Sequence, residues 1–381
     1  MKAEIVIIGA GISGVSIAYN LAIKGVKNIV VFDSDYLSSG STGRCGAGVR
    51  QQWGTKMNCL LAKKSVEFFE KAQEVLKYPR DIEFKQEGYL IIATNEKEDE
   101  QFTANVKLQQ SLGIPVKKLT PLEAKQIIPH LNIDKIVSAT YCKTDGHLNP
   151  FTMTEAYYLA AKRLGVSFYF NEKVLEIVVK DKKIEKVITS KREVETSKVV
   201  NAAGGYSKEV GKLVNIEIPV YSENHEILVT EPIEKIQGPM LISFALNIYC
   251  QQVPHGSFIM GRSDPLAPHS HNIESSWNFL DQMAKTVVGI LPPIGELRVI
   301  RQWGGLYNIS PDRQPIIGKT DELEGFYLAC GFSGHGFMFA PMTGLLLSEI
   351  ILNEPSTIDI TELHLDRFKK GDFTAYETSV V

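Results

Sequence analysis

Gly9-Ala10-Gly11-Ile12-Ser13-Gly14 follows directly on EIVII at residues 4–8, and this junction decides the fold. The β-branched run reads as a short buried strand of a parallel sheet. Glycines at 9, 11 and 14 then predict a tight turn, a close backbone approach to a pyrophosphate, and close packing of the next helix on the strand. The diphosphate would sit on that helix's N-terminus, where free N–H groups and the helix dipole favour an anion. Val15, Ala18, Leu21 and Ala22 mark the helix's buried stripe, which ends near Gly25, and residues 28–32 form a second strand. Asp33 closes that strand 19 residues after Gly14, where a carboxylate accepts hydrogen bonds from a ribose hydroxyl. An acid here favours a ribose with free hydroxyls, which leaves NAD and FAD.

The rest of the composition narrows the class. A chain of 381 residues is expected to form two domains, at about 100–200 residues each. Hydrophobic residues at 44% and charged residues at 22% describe an ordered globular protein. A net charge of −3 gives no electrostatic case for nucleic acid or an anionic membrane, so the expected partners are small molecules or proteins. Five cysteines without a CxxC pair fit a reducing compartment, which makes the cytoplasm the expected location. Residues 5–23 carry no charge, but their glycines, Ser16, Tyr19 and Asn20 argue against a membrane anchor, and no transmembrane segment is expected.

Beyond Asp33 the loop from Ser38 to Arg50, SSGSTGRCGAGVR, is too long and too glycine-rich for a plain connection; such backbone can press against a planar ligand. Residues 198–200 read as a strand ending in NAAGG, and Gly331-Phe332-Ser333-Gly334-His335-Gly336-Phe337 precedes an apolar helical stretch. With the first fingerprint, these pieces resemble the D-amino acid oxidase-like flavoprotein family over essentially the whole chain. STGRCGAGVRQQW, RQWGGLYNISPDRQPIIG and CGFSGHGFMFAP resemble most the beta subunits of multi-subunit sarcosine oxidases and dye-linked L-proline dehydrogenases.

The resemblance implies FAD. Gly9, Gly11 and Gly14 would face the diphosphate with Ile12 and Ser13, and Asp33 would hold the ribose beside Ser34. Ser41 and Thr42 would meet the phosphate and ribityl region, and Val174 the adenine. Arg44, Cys45, Gly46, Gly48, Ala203, Gly204, Gly305, Gly334, His335, Gly336, Phe337 and Met338 complete the expected contacts. The helix beginning near Phe337 would aim its positive end at the flavin ring. The implied fold is α/β: a Rossmann-like FAD-binding domain from residues 1–80, 141–217 and 305–381, and a substrate domain from residues 81–140 and 218–304 on a mainly antiparallel sheet.

Oxidising an amine next to a carboxylate needs an aligned C–H bond, a neutral amine and a cation for the carboxylate, and it needs no metal. Arg50 is the expected carboxylate anchor, with Arg44 as runner-up. Tyr249 would close the pocket, His225 would accept a proton or form the wall, and His335 would neighbour the ring. Departures from relatives refine this. Tyr307 stands where glycine and D-amino acid oxidases carry an arginine, and Gly305 where monomeric sarcosine oxidases carry the flavin-linking cysteine, so FAD is expected to be noncovalent. Met338 replaces a lysine. Ile259 stands near an oxygen-activating lysine of monomeric sarcosine oxidases. Pro150 replaces the histidine that tethers FMN in multi-subunit relatives, so any FMN at a subunit interface would be noncovalent.

The expected function is therefore FAD-dependent oxidation of the C–N bond of a secondary amine or amino acid, as an L-proline-type dehydrogenase subunit in a hetero-oligomer. The alternatives are a sarcosine or glycine oxidase releasing hydrogen peroxide, and a flavin-containing assembly subunit. His269 and His271 read as a surface loop, Cys45 as a packed small residue, and residues 180–186 as a solvated hairpin.

Overall fold

Alternation along the first strand separates two packed layers. In Ile5–Ile8, Ile5 and Ile7 face one side and Val6 and Ile8 the other, and all four are buried. The computed structural model of the chain describes residues 1–264, 266, 268–371 and 376–379. Ile5–Ile8 lies in a six-stranded sheet, parallel to Val199–Asn201 on one side and to Ile29–Phe32 on the other. Phe326–Cys330 and Ser167–Tyr169 extend the sheet in parallel, and Ile316–Lys319 closes one edge antiparallel.

Ile5, Ile7, Ile29 and Val31 pack against the helices Ile12–Ile23, Pro150–Arg163 and Gly336–Leu352. Val6, Ile8, Val30 and Phe32 pack against a three-stranded antiparallel sheet of Val174–Lys180, Lys183–Thr189 and Glu193–Glu195. Burial on both faces is why these strands are apolar throughout. The solvated hairpin expected at residues 180–186 is present, turning at Asp181 and Lys182, both with positive φ.

The second large sheet has eight strands, in the order Val299–Ile309, Tyr221–Thr230, Phe258–Ser263, Ile248–Gln252, Met240–Ser243, Tyr89–Ala93, Ser138–Cys142 and Val116–Leu119. Every pairing is antiparallel except Met240–Ser243 with Tyr89–Ala93. This is the α/β architecture with a second, mainly antiparallel sheet that the motifs predict. Residue 141 lies inside Ser138–Cys142 and residue 305 inside Val299–Ile309, so both strands run across the expected domain limits.

One face of the eight-stranded sheet carries Leu90, Leu228, Leu241, Cys250 and Phe258 under the helix Trp277–Ile290. The alternate residues Tyr89, Ile227, Met240, Ile242 and Tyr249 form a separate cluster on the opposite face and line a cavity. No helix among the described residues is long and apolar enough to cross a membrane.

Candidate active site

The turn after the first strand is held by Gly9 N, which donates to Phe32 O at 2.8 Å. Gly9 has φ +109°, and a Cβ there would lie 2.4 Å from Ala202 O, so conformation and space both demand glycine. A Cβ on Gly14 would lie 1.9 Å from Gly9 O, which is the close packing of helix on turn that the spacing predicts. The helix Ile12–Ile23 begins without a side-chain cap and without an acid in its first turn. Ile12 N donates to Thr42 Oγ1 at 3.1 Å. Thr42 thus takes the first N–H of the helix, and no acid in the first turn opposes an anion at the rest of its start. Asp33 accepts from Ala10 N at 2.7 Å and from Asp35 N at 2.9 Å, while burial raises its pKa above the ordinary carboxylate value.

A single cavity of about 980 Å³ runs from this turn to the inner face of the eight-stranded sheet. Every candidate cofactor or catalytic residue named from sequence lines it except Gly14, whose missing side chain makes room for the Gly9 backbone. Several lining glycines make room for specific side chains. A Cβ on Gly48 would lie 1.7 Å from Tyr89 Oη, and one on Gly334 would lie 2.4 Å from the Tyr307 ring. Arg44 ties the glycine loop to the strand Val299–Ile309, donating to Gly304 O at 3.2 Å while its carbonyl accepts from Trp303 Nε1 at 3.0 Å. Ser41 Oγ adds a bond to Leu306 O at 2.7 Å. Cys45 Sγ contacts Thr42 O, and burial pushes its thiol up to about 11, so it is a packed neutral thiol.

Polar groups gather on the inner sheet face. Arg50 is buried, with its guanidinium 3.6 Å from the Trp53 ring centroid. Its Nη1 donates to Gln52 O at 2.6 Å and its Nη2 to Ser379 O. His225 lies between Tyr307, stacked nearly parallel at 4.2 Å, and Tyr249, at 5.7 Å. His335 packs on Trp53 at 4.7 Å and on Phe339. Burial lowers the pKa of both imidazoles to about 3, with Arg50 adding to the effect on His335, so both are neutral. The two His225 ring nitrogens and Asn308 Nδ2 are buried without a hydrogen-bond partner among the described residues, while the His335 ring lies by the Ser333 backbone. Burial raises the Tyr249 phenol far above its ordinary pKa and keeps it protonated.

Trp53, Tyr89, Met240, Ile242 and Asn308 also line the cavity and were not singled out from sequence. In a linear reading, aromatic and aliphatic residues on strands are indistinguishable from core. His271, read as surface loop, also reaches the cavity: it stacks on Tyr206 at 4.4 Å and contacts Gly205 O at 3.0 Å.

A family model described as FAD dependent oxidoreductase matches residues 4–350. The chain belongs to that family. Over 375 residues it is 24% identical to sarcosine oxidase subunit beta of Rhodobacter capsulatus, covering 97% of this chain and 89% of that one. The crystal structure of L-proline dehydrogenase from P. horikoshii superposes with a TM-score of 0.92 at 34% identity, covering 97% and 98% of the two chains. Glycine oxidase from Geobacillus kaustophilus shares the fold, with a TM-score of 0.88 at 21% identity over 96% and 99%.

The cavity suits the family's cofactor on its own evidence of shape and chemistry. A glycine-only turn and an uncapped helix start stand at one end, beside a carboxylate at a strand end. Elsewhere, Gly46, Gly48 and Gly334 line the cavity without side chains. An elongated dinucleotide carrying a flat ring fits that combination in this FAD-dependent oxidoreductase.

Proposed function

We propose that the chain oxidises the C–N bond of a secondary amine or amino acid that carries a carboxylate, as an L-proline-type dehydrogenase subunit, with Arg50 receiving the carboxylate. The observation that carries this reading is the state of Arg50. Its guanidinium is buried on the cavity wall and forms no ion pair among the described residues; Glu377 and Asp145 act on it only through space. A buried charge without a contacting counter-charge is unfavourable, and a substrate carboxylate supplies one in the bidentate geometry a guanidinium prefers.

Around that anchor, Tyr249 offers a protonated phenol with no hydrogen bond to any described residue, suited to closing the pocket. His225, held neutral by burial, suits a pocket wall and hydrogen-bond acceptor better than a base, because a pKa near 3 leaves little affinity for a proton at neutral pH. When bound, FAD supplies the two-electron acceptor. Gly9, Gly11, Ile12 and Ser13 would hold its diphosphate, Asp33 its ribose, and Gly46, Gly48 and residues 334–337 its ring. The helix Gly336–Leu352 starts at the cavity without an acid in its first turn, which favours negative charge there.

Noncovalent attachment is supported by Gly305, which has no side chain to bond, and by the packed thiol of Cys45. The dehydrogenase reading over an oxidase is supported by Ile259 and by the cavity's lining, whose only lysine among the described residues is Lys173, next to Val174. The 34% identity to an L-proline dehydrogenase points the same way. Likeness to a sarcosine oxidase named as a subunit supports a hetero-oligomer, and Pro150 supports noncovalent binding of any FMN at its interfaces.

Anaerobic addition of L-proline, sarcosine and glycine to the FAD-loaded protein tests the reading. L-proline should bleach the yellow spectrum, with little hydrogen peroxide when air is admitted. Peroxide at the rate of turnover would make the chain an oxidase, and no bleaching by any amine carrying a carboxylate would sink the proposal.

A further inference from the structure

We infer that residues 376–379 position Arg50 for its ligand, with Glu377 as the anchor of that segment; the inference rests on the carboxylate role proposed for Arg50. Glu377 is fully buried although it is a carboxylate near the end of the chain. Five donors surround it: Gly54 N and Thr55 N at 3.2 Å, Thr55 Oγ1 and Asn58 Nδ2 at 3.0 Å, and Ser379 N at 2.9 Å. Two of these, Gly54 N and Thr55 N, belong to the residues that lead into the helix Lys56–Phe69, so the carboxylate ties the segment to that helix's entry.

The segment is fixed on its other side as well. Glu377 N donates to Asp312 O at 3.1 Å, and Asp312 is itself locked by Arg367 through a buried two-point ion pair at 2.8 and 3.0 Å. Residues 376–379 are thus held at two rigid places, and the consequence falls on the next group along. Ser379 O accepts from Arg50 Nη2, while Gln52 O accepts from Nη1 at 2.6 Å and the Trp53 ring supports the guanidinium at 3.6 Å. Two carbonyls and one ring face therefore fix the plane of the fork, yet neither carbonyl neutralises its charge. Three of its five N–H groups stay uncommitted among the described residues. A carboxylate in direct contact with Arg50 would compete with substrate. Glu377 instead spends its hydrogen bonds on backbone, hydroxyl and amide groups; its bonded route to Arg50 among the described residues is Ser379, and its charge acts on the guanidinium through space.

The test compares Glu377→Ala and the isosteric Glu377→Gln with Arg50→Ala in the FAD-loaded protein. The reading is the affinity for an amino acid relative to the same amine without its carboxylate, L-proline against pyrrolidine and sarcosine against dimethylamine, followed by anaerobic flavin absorbance. Both Glu377 variants should weaken the amino acids about tenfold or more and leave the plain amines within about twofold, with FAD content unchanged. The Gln variant keeps the experiment decisive where the Ala variant unfolds. Equal weakening of both ligand types, or of neither, overturns the inference when Arg50→Ala does change the ratio. An unchanged ratio in Arg50→Ala removes the carboxylate role of Arg50, and this inference with it.

Discussion

Substituting alanine at Gly14 and, separately, at Gly11 should separate two roles that the glycine fingerprint combines. At Gly14 the new Cβ would stand 1.9 Å from Gly9 O and 3.6 Å from Ile7 Cγ2. The first contact is with backbone, so no rotamer relieves it, and the helix start must retreat by more than an ångström. It would retreat from a turn pinned by Gly9 N to Phe32 O and by Ala10 N to Asp33. Overpacking of a buried site costs about 1–3 kcal/mol, and alanine returns about 1 kcal/mol of helix propensity. With an unyielding contact the cost lies at the upper end, a net loss of about 2 kcal/mol, or about 30-fold in the folding equilibrium. At Gly11 the Cβ would meet only Thr42 Oγ1, at 3.1 Å, which needs to give by a few tenths of an ångström while keeping its bond from Ile12 N. Gly11 lines the cavity and Gly14 does not. Gly11→Ala should therefore keep the apo-protein's urea midpoint near wild type while weakening FAD, measured by quenching of flavin fluorescence on titration. Gly14→Ala should lower the apo-protein midpoint. A Gly14→Ala protein as stable as wild type would refute the packing role, and identical profiles for both variants would refute the division of labour.

Arg50→Lys keeps the charge but loses the fork, and should lower kcat/KM for a carboxylate-bearing substrate about 30-fold, near 2 kcal/mol; steady-state rates within threefold of wild type would contradict this. His225 has its folded pKa lowered to about 3 against an ordinary 6.5, so as pH falls the unfolded chain takes up the proton first. The stability it contributes is complete above pH 6.5 and is lost as pH drops towards 3. His335 and His147 act with the same sign, while Asp145, raised to about 6 by burial, opposes them between its ordinary value and 6. Replacing His225 with Gln should cut the pH slope of apo-protein unfolding free energy by about 1 kcal/mol per unit between pH 6 and 5, and urea titrations with unchanged slopes would count against a buried neutral imidazole. Cys45, with its thiol near 11, should resist iodoacetamide at pH 8, where about one molecule in a thousand carries the thiolate; rapid labelling by peptide mass spectrometry would mean that the site is open.

Local features were legible where one short segment sets its own geometry. The turn from Gly9 to Gly14, Asp33 at the strand end, the glycine loop and the segment before Gly336–Leu352 all announce themselves through residues whose backbone demands are visible in one dimension. Arg50 was found through family likeness and Tyr249 from its place on a β-rich run before Gln251 and Gln252, and the cavity contains both. Trp53, Tyr89 and Asn308 escaped because each sits among neighbours that suit an ordinary core. His271 escaped because a loop histidine becomes a cavity residue only once its loop lies against Tyr206 and Gly205.

By itself the sequence determined that a strand, a glycine turn, a helix and a strand-end acid would build a dinucleotide site, because backbone sterics and side-chain alternation act within a few residues. Tertiary structure alone decided the chemical state of the site. Arg50 becomes a buried cation without an ion pair among the described residues only when Trp53, Gln52 and Ser379 converge on it, the last from 329 positions away. His225 becomes neutral only when strands carrying Tyr249 and Tyr307 remove it from water. Charge and protonation answer to desolvation by every element packed around a group, and that sum is taken over the folded chain.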